Sequence, residues 1–416
     1  MRSFKNVGLW YQTTLVAFCV AGFALAANGS TATGDDGIVT PVLMDGEMLA
    51  KTKLRIEKGD PELKSALDVL IAEADKALKG GPYSVTDKRK IPPSGDPHDY
   101  ASYGRYWWPD PKKADGLPYI QRDGETNPDS QSPAESDRPR IEALGMHTET
   151  LGLAYFLTGK QAYAEKAAEL LRVWFLDPET RMNPNMDYAQ WRPGHAGGSK
   201  SGVLDGRMMA RALEGSHLIA GSSALSDDER DGLKTWAGDY FHWLTTDELA
   251  LAEAASENNH GTFYDAQAMY FALYCGNRDG AKKIANAVVQ NRILPQIKPD
   301  GSMPEELART RPLFYSNYNL HALFVVANLA QEVGVDVWNA SDSRLRLGLD
   351  FLVPYADPSV LWPYPSIDEA DRMDLFPVLL MGDRAYPGRG YRQMMETLPQ
   401  DQRDVRRENL VFPLMR

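Results

Sequence analysis

The sequence predicts an all-α protein, an (α/α) toroid built as an incomplete barrel of antiparallel helix pairs, with long aromatic and glycine-rich loops over a groove. Apolar residues recur three and four apart in segment after segment, and most of these segments stop near Gly, Asp or Pro and reach the next through a short turn. No strict sequence repeat joins them, which favours a closed ring over a solenoid of fixed period. The 416 residues are 43% apolar and 25% charged, as in an ordinary globular protein. No low-complexity tract or Gly/Ser linker interrupts the chain after its first forty residues, so residues 61–416 read as a single domain.

Taken in order, Arg2 and Lys5 precede the apolar stretch from Leu15 to Ala26, which ends in the small-x-small pattern Ala24-Leu25-Ala26. Residues 1–26 therefore read as a signal peptide that carries the protein across the inner membrane, with the periplasm as its destination. A membrane anchor needs about twenty apolar residues, more than stand here. Bulky Phe18 argues against a lipoprotein site at Cys19. Once the signal is removed, Cys275 is the only cysteine and no internal disulfide can form. The formal charge moves from −12 to −14, because Arg2 and Lys5 leave with the signal. Such an acidic body excludes nucleic acid as a partner, and no stable membrane insertion is expected after cleavage. A polyanionic ligand would require a locally basic cleft.

Residues 27–60 mix Gly, Thr and Asp and read as an irregular lead-in. Helical periodicity then runs from Leu63 through Leu78 to the stop at Gly80-Gly81, and returns near 138–158, 161–175, 205–222, 226–248, 262–275, 279–293, 318–333 and 341–352. Two segments break the pattern. Residues 82–130, with Tyr106-Trp107-Trp108-Pro109-Asp110-Pro111, are too rich in Pro, Gly and aromatics for helix, and a loop this long is usually functional. Residues 181–204 hold Trp191-Arg192-Pro193-Gly194-His195 and Gly197-Gly198-Ser199-Lys200, where glycines let backbone approach a ligand.

Asn258 and Asn259 stand where a helix cap is expected, ahead of Phe263, Ala266, Tyr270 and Leu273. One asparagine suffices for a cap, which leaves the other free to donate its amide to a carboxylate. His260 follows directly. Arg309 and Tyr315 lie six residues apart with Pro312 between them, so a continuous helix across the pair is not expected, and Tyr315 is placed just before a helix beginning near Tyr318. Amide, imidazole, guanidinium and phenol together can neutralise a carboxylate, remove the proton beside it and protonate a leaving oxygen.

The run Asn258-Asn259-His260, then Pro304-Glu305-Glu306-Leu307 with Arg309, then Tyr315-Ser316-Asn317-Tyr318, resembles the alginate lyase superfamily of polysaccharide lyases, as do Tyr106-Trp107-Trp108-Pro109 and Arg122-Asp123-Gly124-Glu125. The likeness spans roughly residues 95–335. Its six-residue Arg-to-Tyr spacing is closer to family 38 than to family 5, where seven is expected. The resemblance implies an (α/α) toroid with a groove that cleaves β-1,4-linked polyuronate, poly-mannuronate or glucuronan, by β-elimination without a metal or other cofactor.

The chemistry assigns the roles. A C5 proton leaves only if the adjacent carboxylate is neutralised, and Asn259 and Arg309 are the expected neutralisers. Tyr315 protonates the departing O4. In mannuronate the C5 hydrogen and O4 lie on one side, so Tyr315 can also be the base, whereas guluronate would require His260 from the opposite face. Substrate contacts are expected from Asn258, Tyr106, Trp107, Trp108, Arg192, His195, Lys200, Arg311 and Tyr318, with Arg105 and Arg122 as weaker candidates. No metal-ligand motif, nucleophile elbow or phosphate loop is present in the sequence. Two other readings stay open: an inverting glycoside hydrolase using carboxylates such as Glu253, Glu257 or Asp265, and a carbohydrate-binding protein without catalysis.

Overall fold

The computed structural model describes residues 40–122 and 125–412, which belong to one compact unit. The signal assigned to residues 1–26 lies outside the described residues. Helices α1 (Gly46–Glu57), α2 (Pro61–Ala77), α3 (Arg138–Thr158), α4 (Gln161–Leu171) and α5 (Arg207–Leu218) make up the first half. Then come α6 (Asp227–Thr246), α7 (Glu248–Ala254), α8 (Asn259–Tyr274), α9 (Arg278–Val288), the short α10 (Leu294–Gln296) and α11 (Pro304–Leu307), α12 (Pro312–Glu332), α13 (Ala340–Leu352) and α14 (Phe376–Ala385).

Local chemistry sets the ends of these elements. Asp60 caps α2, with Pro61 in the first turn where its missing N–H costs nothing. Ser226 and Glu229 form a reciprocal capping box on α6, and α3 stops at Gly159 in the left-handed region (φ 72°). Two expectations need correction. The lead-in is not irregular throughout, because Asp45 caps α1 and Met48, Leu49 and Thr52 are buried. The helix expected near Tyr318 begins six residues earlier, since Pro312 opens α12 instead of breaking it.

Helices α3, α8 and α12 are buried on nearly every side, the mark of an inner layer. The ring runs α3–α5–α8–α12–α14, with α2, α4, α6, α9 and α13 packed outside it. Helices α3 and α5 approach most closely, because a Cβ on Gly152 or Gly215 would press into the facing helix. At the axis is a cavity of about 450 Å³. One end of it is lined by Leu43, Met44, Val411 and Phe412, from the two ends of the described chain.

Those ends are tied to the ring by carboxylates. Glu214 on α5, fully buried, accepts the backbone N–H groups of Val42, Leu43 and Met44 at 3.0, 2.7 and 3.0 Å. Arg407 bonds Glu149 of α3 at 3.1 Å and Glu73 of α2 at 2.7 Å. Burial pushes the Glu214 carboxyl up to about 7 in spite of its three amide donors. The folded state then holds more protons than the unfolded chain between its ordinary value of 4.5 and 7, so this group's contribution declines as pH rises through that window. We expect thermal melts to show wild type losing on the order of 3 kcal/mol relative to Glu214→Gln from pH 4.5 to 7. A difference that stays flat with pH would remove Glu214 from this role.

Candidate active site

The N-terminal ends of α8 and α12 hold most of the chemistry-bearing side chains. Asn258 caps α8 by accepting the His260 backbone N–H at 3.2 Å. The turn before it is braced by buried Arg292, which donates to the carbonyls of Ser256 (2.9 Å) and Ala254 (2.6 Å) and pairs with Asp265 (2.8 Å). Gly261 is required here, because a Cβ would collide with the Ser256 carbonyl and the Arg292 guanidinium.

His260 Nδ1 lies 2.5 Å from Glu253 Oε1, whose carboxylate is fully buried. A carboxylate only accepts, so Nδ1 carries the proton and Nε2 is the nitrogen left for other work. Ser256 Oγ donates to the same carboxylate at 3.2 Å and receives Lys200 Nζ at 3.0 Å. Lys200, expected as a groove cation, is thus tied to the support of the imidazole.

Asn259 is buried, and its amide is engaged. Its backbone N–H donates to Glu306 Oε1 at 2.6 Å, and Nδ2 reaches both Glu306 oxygens at 3.0 and 2.8 Å. Burial raises the Glu306 carboxyl above its usual range, while Asn259 and the nearby charges of Arg309 and His260 pull it back. Glu306 therefore joins the two helix ends. Arg309, in the turn between α11 and α12, lies over the Tyr315 ring at 3.8 Å and has no ion pair among the described residues. Tyr315 and Arg309 are both half-buried. Arg311 is less available, being paired with Asp368 at 2.8 Å and set over Phe314.

Tyr318 stacks on Phe314 (5.6 Å between centroids) and touches Phe263 of α8 (4.3 Å). The other aromatic candidates gather on a separate loop platform. There β1 (Ala101–Tyr103) pairs in parallel with β4 (Tyr188–Trp191), and β2 (Trp107–Trp108) pairs antiparallel with β3 (Ile120–Gln121). Arg192 covers the Trp107 ring at 4.8 Å, His195 meets its edge at 5.3 Å, and Arg122 covers Trp108 at 5.1 Å. Tyr106 is on the same ribbon, half-buried, and Arg105 beside it is exposed. The turn from Lys200 to Gly206 connects this platform to α7 and α8.

The carboxylates considered for a hydrolase do not form a facing pair. Glu253 is beneath His260, Asp265 is held by Arg292, and only Glu257 is exposed. Sequence reasoning did not give Glu253 and Glu306 their places as partners of His260 and Asn259. Glu306 stands 47 positions from Asn259, and neither spacing has a local signature.

The alginate lyase family profile matches residues 84–362. Among solved structures, an alginate lyase from Bacteroides ovatus is 37% identical, with 90% of this chain and 100% of that one covered and a TM-score of 0.84. Alginate lyase A1-III from Sphingomonas species A1 is similar in fold at 18% identity, covering 91% and 98% of the two chains with a TM-score of 0.57. So is a Tyr-to-Phe variant of A1-III complexed with a tetrasaccharide, at 18% identity, 91% and 97% coverage and a TM-score of 0.57. No match was found among curated protein sequences.

Proposed function

Because this chain belongs to the alginate lyase family, we propose that it is a polysaccharide lyase that cleaves β-1,4-linked polyuronate, the mannuronate blocks of alginate first, by β-elimination. One observation supports the assignment of roles above the others: the Arg309 guanidinium, free of any ion pair among the described residues, lies against the Tyr315 ring. Arg309 takes the uronate carboxylate and neutralises the charge that builds on it as the C5 proton departs. Asn259 has a smaller share, since Glu306 already holds its amide.

In a mannuronate residue the Tyr315 oxygen removes the C5 proton. The C–H electrons become the C4–C5 double bond, the C4–O4 bond breaks, and Tyr315 returns a proton to O4. His260, fixed through Nδ1 by Glu253, presents Nε2 to the sugar and positions it. Tyr106, Trp107 and Trp108, with Arg192 and His195, receive the neighbouring sugars on the loop platform, and Arg311, Tyr318 and Asn258 border the cleaved residue. An acidic polysaccharide is then the partner, and the periplasm the place of action.

The purified protein acting on poly-mannuronate should raise the ultraviolet absorbance of a conjugated 4,5-unsaturated uronate in step with new reducing ends. New reducing ends without that absorbance would mean hydrolysis. Binding without either would mean a carbohydrate-binding protein.

A further inference from the structure

One cation near the reacting group has no role in this scheme. Arg207, the first residue of α5, is set with its guanidinium 5.5 Å from the Phe263 ring and 5.6 Å from the Tyr318 ring. Among the described residues its guanidinium makes no hydrogen bond or ion pair, and the carboxylates of Asp205, Glu142 and Glu149 are engaged elsewhere. Asp205 accepts from the Tyr100 and Ser102 hydroxyls at 3.0 and 3.1 Å, Glu142 holds Arg138 at 3.0 Å, and Glu149 holds Arg211 and Arg407, each at 3.1 Å. Burial pulls the Arg207 guanidinium below its usual range. Arg207 is half-buried, and an unpaired charge partly withdrawn from water carries a cost that an anion delivered from outside relieves.

The cavity supplies room for such an anion. Arg207, Phe263 and Tyr318 all line the 450 Å³ space at the ring axis, a volume within the range of small-ligand pockets, about 300–1,000 Å³. Phe263 follows His260 by three residues and Tyr318 follows Tyr315 by three, so this part of the cavity begins a little under one helical turn, ~4.5 Å along each helix, from those side chains.

We infer that Arg207 anchors the carboxylate of a second uronate, the sugar next to the one that loses its C5 proton, with Phe263 and Tyr318 flanking it. The inference rests on the lyase reading for its substrate class. Arg207 binds and does not take part in the elimination, so its loss weakens binding far more than turnover.

Two measurements test it. With a mannuronate tetrasaccharide, Arg207→Met should raise KM about tenfold or more and change kcat less than about threefold. In calorimetry, Tyr315→Phe protein should prefer the tetrasaccharide over its carboxyl-reduced counterpart, and adding Arg207→Met should lower that preference about tenfold. An unchanged KM, or an unchanged preference, overturns the subsite. Should Arg207→Met fail to fold, Arg207→Lys decides: it keeps the charge without the planar fork, so KM should rise by about threefold or more, and wild-type KM overturns the assignment. The two readings fail separately. An Arg207-dependent preference without any unsaturated product would sink the elimination and leave the subsite standing, whereas unsaturated product with Arg207 immaterial would do the reverse.

Discussion

Replacing Tyr315 with Phe should lower kcat by on the order of 10³-fold or more while the affinity for poly-mannuronate oligosaccharides stays within about threefold. The substitution removes one oxygen and leaves the ring, which contacts Phe314 at 5.2 Å and carries Arg309 at 3.8 Å. The packing at the start of α12 should therefore survive, with only the proposed proton transfers lost. In the proposed elimination both proton steps on mannuronate pass through that oxygen, so the loss should exceed what a single general acid contributes. Initial rates of ultraviolet absorbance, set beside calorimetric binding, check the two halves of the expectation. A variant that still turns over at near-normal rate would exclude Tyr315 from the chemistry and transfer the base role to His260.

Arg309→Ala comes second, with kcat expected to fall about 10²- to 10³-fold on charged polymer. The cause differs, because here the carboxylate keeps its charge and the carbanion beside it has no counter-ion. Methyl-esterified polymer is the control, since its ester carries no charge to neutralise and should lose much less rate in this variant. Arg309→Lys should recover part of the loss, as a point charge without the planar fork of donors. Equal losses on charged and esterified polymer would show that Arg309 only holds Tyr315 in place.

Much of the helical ring can be read from the residues alone. The segment 138–158 matches α3 to the residue, because its apolar spacing is unbroken and Gly159 ends it. The cap at Asn258 is equally plain. Other features were hidden for physical reasons. Helix α1 has few apolar positions and leaves Leu54 exposed, so its periodicity is faint amid Gly and Asp. Pro312 carries opposite meanings inside a helix and in its first turn, and only tertiary contacts decide between them. The candidate residues were legible as types, yet their supports were not: Glu306 reaches Asn259 across 47 positions, and Glu253 meets His260 only because the chain turns between α7 and α8. Nor does a sequence tell that the carboxylates around Arg207 are engaged by other side chains.

The tie of Arg407 to Glu73 and Glu149 also bears on how the ring is made. Arg407 follows every inner helix in the chain, and its bonds span 334 and 258 positions. Helix pairs such as α3 with α4 can form from contacts close in sequence, but the last seam of the ring must wait until the segment around residue 407 is present. Until then the axial cavity lacks the wall made by Arg407, Val411 and Phe412, and a chain cut short before them leaves that apolar lining open to water.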